Sequence, residues 1–134
     1  MANNIDILLD TNALLAVIGS GSSNKLSAHT MKRLSLANNV HFSPISLVEI
    51  HIKTMLGKLR APKQLRSALL SSGLAELPYT SEAAEELRKL RKMDKNDPFD
   101  RMLIAQSIIE KTLFLTSDAY LISLGLDFIV DSKA

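Results

Sequence analysis

The sequence predicts an α/β fold, with a mostly parallel sheet covered by helices on both faces. Two observations carry this. Short, mainly apolar runs such as Ile5–Leu9 and Leu113–Leu115 alternate with longer segments of helical character. Strands of this kind are expected where neither sheet face meets water, and their alternation with helices is the pattern of βαβ units. The 134 residues suit one domain over 1–134, with little room for a second.

The elements follow in order. Residues 5–9 read as a buried strand ending at Asp10, and residues 12–18 as a short helix broken by the Gly19-Ser-Gly-Ser-Ser23 stretch. Asn24 is a suitable cap for a helix to about residue 37. A second strand is expected over 40–42. Ser43-Pro44 then leads into a helix over 46–56 that Gly57 stops. Pro62 is expected to open a further helix and Gly73 to end it. A short strand over 74–77 precedes a charged helix capped by Thr80 or Ser81 and running to about Met93. Asp97-Pro98 starts a strongly apolar helix to about Glu110. A strand over 113–115, a short helix capped by Ser117 or Asp118, and a final strand over 128–130 complete the chain.

Composition removes several function classes. With no cysteine there are no disulfides, thiolate zinc sites or Cys nucleophiles, which suits a reducing cytoplasm. Trp is absent, so base stacking on an aromatic platform is not expected. No run is long and apolar enough for a membrane span, and the N-terminus does not read as a secretory signal. His29, His41 and His51 lack zinc-ligand spacing, and there is no Gly-x-Ser-x-Gly elbow, phosphate loop or dinucleotide fingerprint. The net charge of +2 hides an asymmetry. Residues 11–75 hold eight Lys or Arg and a single acid, Glu49, whereas residues 76–134 hold eleven acids against eight bases. A basic scaffold around a local acidic spot suits a polyanion handled through metal ions; a plain solvated basic face is the alternative.

Four carboxylates are expected near one edge of the sheet, because ligands of open α/β sheets bind beyond the carboxyl ends of the strands. Asp10 follows the first strand, Glu49 is expected in the first turn of the helix after the second, Asp100 lies in the first turn of a late helix, and Asp118 follows the strand over 113–115. Converging there, they would repel one another unless protonated or bridged by cations. Mg²⁺ or Mn²⁺ are the hard ions that take such oxygen ligands, activate water and stabilise a leaving oxygen. Each acid also has a structural reading. Asp10 and Asp118 suit helix caps, Ser46-x-x-Glu49 matches a capping box, and Asp97-Pro98 with Asp100 suits any helix start.

Leu8-Leu-Asp-Thr-Asn-Ala-Leu-Leu15, Ser46-Leu-Val-Glu-Ile-His-Ile-Lys53 with Gly57-Lys-Leu59, Asp97-Pro-Phe-Asp-Arg-Met-Leu-Ile-Ala-Gln106 and Leu115-Thr-Ser-Asp118 resemble PIN-domain proteins over nearly the whole chain. The resemblance is strongest to VapC-type toxins of bacterial type II toxin–antitoxin pairs. It implies a PIN-like three-layer α/β/α sandwich and a metal-dependent endoribonuclease, with Asp10, Glu49, Asp100 and Asp118 as catalytic and metal-binding acids. By that resemblance Asp100 rather than Asp97 is the third acid, and Asn12 and Thr116 are polar groups supporting the acids. Lys95-Asn96 departs from the His or Arg that many relatives carry before Asp-Pro. Lys53, Lys58 and Arg101 are candidates for phosphate contacts.

The implied partners are an RNA substrate, a small antitoxin whose C-terminal segment covers the acidic groove, and a second copy of the chain. Leu47, Met55 and Leu59 are apolar positions for such a dimer, though they fit an ordinary core equally well. Two other classes compete. Phosphoryl transfer through an Asp10 nucleophile would need, in a haloacid-dehalogenase-like phosphatase, a second Asp where Asn12 stands. A catalytically weak or inactive PIN-like module would bind RNA or protein through the basic half.

Overall fold

Five parallel strands form one sheet in the order β3-β2-β1-β4-β5. They are β1 (Asp6–Leu9), β2 (Asn39–Phe42), β3 (Ala75–Glu76), β4 (Leu113–Thr116) and β5 (Ile129–Asp131). The structure is a computed structural model that describes residues 5–19, 26–93 and 97–134. The expected cap Asn24, most of the Gly-Ser stretch and Lys95-Asn96 lie outside the described residues. All the expected strands are present, and the sheet is parallel throughout.

The chain starts in the middle of the sheet. It moves outward through β2 and β3, crosses back, and continues through β4 and β5 on the other side of β1. Because parallel crossovers are right-handed, reversing direction puts the later helices on the opposite face. The side-chain alternation agrees. Ile7, Leu9 and Leu115 face a core with α1 (Thr11–Val17), α3 (Pro44–Met55) and α4 (Leu65–Ser71), through Leu14, Ile50, Leu65 and Leu69. Leu8 and Phe114 face the other core with α6 (Pro98–Glu110) and α7 (Ala119–Ser123), through Leu103, Ile104 and Leu121. Successive strand residues point to opposite faces, so β1 and β4 carry apolar residues toward both cores, with Thr116 the buried polar exception at the end of β4. The result is an α/β/α sandwich.

Several helix starts differ from the sequence reading. Helix α2 (Ala28–Leu36) is capped by Ser27, whose hydroxyl accepts from the Thr30 N–H at 3.0 Å. Helix α3 begins at Pro44, two residues before the expected Ser46, with Ser43 as its cap. Proline fits the first helical position because its missing N–H would have no helical partner there. Helix α4 begins at Leu65, so Pro62 precedes it without opening it. Gly57 and Gly73 end α3 and α4 at φ +72° and +90°, where a side chain would be strained. Thr80 caps α5 (Ser81–Glu86), and a 3₁₀ segment, Leu87–Met93, continues it.

Candidate active site

The strand order reverses between β1 and β4, the place where open α/β sheets bind their ligands. Asp10 is the first residue past β1, and its N–H donates to the Leu115 carbonyl of β4 at 3.0 Å. Its carboxylate is used twice. Oδ1 caps α1 by accepting from the Ala13 N–H at 2.7 Å, and Oδ2 accepts from the Thr116 hydroxyl at 2.6 Å. Thr116, the fully buried last residue of β4, also takes the Asp118 N–H on its Oγ1 at 3.0 Å. Asp118 in turn caps α7 through the Leu121 N–H at 3.0 Å. The capping readings of Asp10 and Asp118 therefore hold for one oxygen of each. The Thr116 bridge joins the two residues across the switch point.

Glu49 and Asp100 come from inside helices. With α3 starting at Pro44, Glu49 falls in the second turn, not the first, and Ser46 is not a cap. The Ser46-x-x-Glu49 capping box does not form. Ser46 is instead buried, with its hydroxyl 2.9 Å from that of Thr11, tying α3 to α1. The Glu49 side chain is only 8% exposed. Its Oε2 accepts from Lys53 Nζ at 2.6 Å, and its Oε1 is buried with no hydrogen-bond partner among the described residues. Asp97 caps α6 through the Phe99 N–H at 2.8 Å, which leaves Asp100, in the first turn, without a capping task.

The acids feel one another's charge. Burial pushes Asp10 up to about 6, against the lowering effect of the Thr116 hydroxyl and the Ala13 N–H, with Glu49 and Asp118 adding repulsion. Asp100 is pushed up to about 7, first by burial and then by the charges of Asp10, Asp97, Asp118 and Glu49. Lys53 is raised, chiefly by its hydrogen bond to Glu49 and further by Asp97 and Asp100. An all-oxygen, mutually repelling donor set with one orphaned carboxylate oxygen has the chemistry of a hard divalent-cation site. Among the described residues, however, no three His, Asp or Glu side chains are disposed to hold an ion as they stand.

The other expected residues divide. Thr116 meets two of the acids' groups directly. Asn12 is exposed on α1. Lys58 is exposed in the turn after α3, and Arg101 on α6 has a buried Nε without a partner among the described residues. Sequence reasoning missed the Thr11–Ser46 pair and the commitment of Lys53 to Glu49. The Ser43-Pro44 start signal and the i,i+4 spacing of Glu49 and Lys53 were the available clues. A cleft of about 360 Å³, lined by Ile5, His29, Lys32 and Leu36 among others, lies at the opposite edge, by the amino ends of β1 and β4. It contains no carboxylate, so phosphate chemistry through metal has no footing there.

The family model of the PIN domain matches residues 7–125. No curated protein matches the chain by sequence. Among solved structures, a chain of DNA-bound VapBC from Salmonella typhimurium is similar at 22% identity, with a TM-score of 0.66 over 95% of this chain and 98% of that one. VapBC2 from Rickettsia felis, bound to a promoter DNA fragment, gives 17% identity and a TM-score of 0.63 over 96% and 98%. VapBC-5 from Mycobacterium tuberculosis, described as a member of a family of toxin–antitoxin systems, gives 16% and 0.59 over 96% and 98%. At these identities the likeness is one of fold.

Proposed function

The chain belongs to the PIN domain family, and from that premise we propose that it is a divalent-metal-dependent endoribonuclease, the VapC-type toxin of a toxin–antitoxin pair, acting as one domain over 1–134. One observation carries the reading: Asp10 and Asp118 are joined through Thr116 at the sheet's switch point, within electrostatic reach of Glu49 and Asp100. Asp10 and Asp100 would be the main holders of Mg²⁺ or Mn²⁺, and Asp118 and Glu49 would complete the oxygen set. Such an ion supplies a water acidic enough to attack phosphorus and compensates charge on the leaving oxygen.

The protein's own part is orientation and proton transfer. The Ala13 N–H and the Thr116 hydroxyl fix the Asp10 carboxylate, so little side-chain freedom remains to be lost when a ligand binds. Glu49 Oε1, which has no donor of its own, is the oxygen available for the proton of the attacking water. In the hydrolysis, a bond forms from water oxygen to phosphorus as the bond to the leaving ribose oxygen breaks. Lys53, Lys58 and Arg101 are the cations for backbone phosphates, with the basic half of the sequence drawing in RNA.

The partners follow from the same reading. A small antitoxin covering the acids is supported by the likeness to VapBC complexes. A second copy is supported by an exposed apolar stripe of Val48, Ile52, Met55 and Leu56 along and just after α3. Leu47 and Leu59 do not belong to that stripe, because they pack against the core. No described helix is long and apolar enough to cross a membrane; the cytoplasm is the proposed compartment. The alternative, a PIN-like module that binds without cutting, draws on the absence of a preformed three-ligand group among the described residues.

Sequencing of RNA 5′ ends after expression of wild type and a folded Asp10→Asn variant tests the proposal. New ends are expected with wild type alone. Equal cleavage by the variant would overturn the assignment, and absence of cleavage and of Mn²⁺ binding in wild type would favour the non-cutting module.

A further inference from the structure

Among the described residues, Glu49 is a buried carboxylate with a single counterion, and that counterion is on its own helix. Lys53 lies one turn further along α3, with Nζ 2.6 Å from Oε2. Glu preceding Lys at i,i+4 is the favourable orientation for such a pair. Between exposed side chains this pair would be worth little. Here it differs in two ways. The Glu49 side chain is 8% exposed, so losing its partner would leave a charge uncompensated in the interior. The Lys53 side chain is 41% exposed, so its ammonium can exchange this partner for water without any movement of the helix.

The pair leaves the two Glu49 oxygens unlike. One Glu49 oxygen is occupied by the ammonium, while the other has no partner among the described residues. The same ammonium lies within the fields of Asp97 and Asp100, placing its charge where these carboxylates repel one another. Both Glu49 oxygens keep lone pairs free, but an ammonium 2.6 Å from Oε2 would repel a divalent ion held by the same carboxylate at close range. We infer that Lys53 is a tethered cation that occupies Glu49 in the metal-free protein and competes with the metal for it, so that metal loading and release of Lys53 are one exchange. This rests on the metal-site reading above. It makes Lys53 a positioning residue for Glu49 before it is free to meet a phosphate.

The test is isothermal titration of Mn²⁺ into wild type, Lys53→Met, Lys53→Arg, Glu49→Gln and the Glu49→Gln/Lys53→Met double variant, alongside metal-free melting curves. Lys53→Met should bind Mn²⁺ about fivefold to tenfold more tightly, as expected for removing a charge-assisted competitor. Its metal-free form should melt lower, and Mn²⁺ should restore it. Lys53→Arg, which keeps a cation, should stay near wild-type affinity. In the Glu49→Gln background the tightening should vanish.

Unchanged or weaker Mn²⁺ binding by Lys53→Met, with wild type binding normally, overturns the exchange and leaves the metal site standing. Tightening of the same size in the double variant also overturns it, since the effect would then be general charge and not competition for Glu49. Failure of wild type to bind millimolar Mn²⁺ removes the metal site and the exchange together. Lys53→Gln provides the same reading should Lys53→Met fold poorly.

Discussion

The acids fall into two regions held in different ways. Asp10 and Asp118 stand on the strand edge, where each carboxylate takes a backbone N–H at a helix start and Thr116 links the two. Glu49 and Asp100 stand on the helical walls, where helix-borne carboxylates gain no such backbone donors. Glu49 relies on Lys53, and Asp100 has no hydrogen bond offsetting its burial among the described residues. The difference teaches that strand-edge acids are positioned by local backbone geometry, whereas wall acids are positioned by whatever cation is near. The edge carboxylates are fixed by the fold; the wall carboxylates depend on what lies beside them.

The largest expected effect breaks both regions together. Asp10→Asn and Asp100→Asn should each lower metal-dependent RNA cleavage by about a thousandfold or more, because each removes a charge that the chemistry uses. Gel assays on folded variants check this, and near-normal turnover by either would remove that acid from the site.

The next effect is on pH dependence. Asp10 and Asp100 are both raised, from an ordinary 3.8 to about 6 and about 7. Between those values the folded state holds protons that the unfolded state has lost. Their stabilising contribution is therefore complete below about pH 4 and lost as pH rises through 6 to 7. For Asp10 alone this is on the order of 3 kcal/mol. Metal-free protein should lose stability from pH 5 to 8, and saturating Mn²⁺ should flatten or reverse that slope. Asp100→Asn should raise metal-free stability at pH 8. Chemical denaturation across the range, with and without metal, measures both, and a slope indifferent to metal would count against shared electrostatics.

A smaller effect isolates the strand edge. Thr116→Val leaves the Asp10 Oδ2 and the Asp118 N–H without their partner, at a cost of about 1–3 kcal/mol. The melting temperature should fall by roughly 2–4 °C for each kcal/mol. No change would mean that water substitutes for the hydroxyl and that the bridge does not organise the edge.

The smallest effect separates neighbours on one wall. Asp97→Ala removes only the α6 cap and should cost about 1 kcal/mol with cleavage kept within a few-fold. A thousandfold loss would place Asp97 among the metal's holders and blur its distinction from Asp100.

Much of this was determined by the sequence itself. Alternating apolar runs and helix signals specified an α/β fold with a parallel sheet, because burial on both faces leaves no other residue pattern for β1 and β4. Asp10, Asp97 and Asp118 were legible as helix starts, whereas only the resemblance to PIN-domain proteins singled out Asp100 over Asp97. These are local matters, decided within a few residues of backbone.

The tertiary structure decided the rest. The start of α3 at Pro44 buried Ser46 against Thr11 and moved Glu49 to the second turn, which removed the capping box. Strand order made β1 and β4 neighbours, and so brought Thr116 to an aspartate 106 positions away in the chain. Burial raised Asp10 and Asp100 and made the partner of Glu49 matter. The strand order and the raised carboxyls cannot be read from spacing, because desolvation and charge coupling depend on what packs around a group and not on what precedes it.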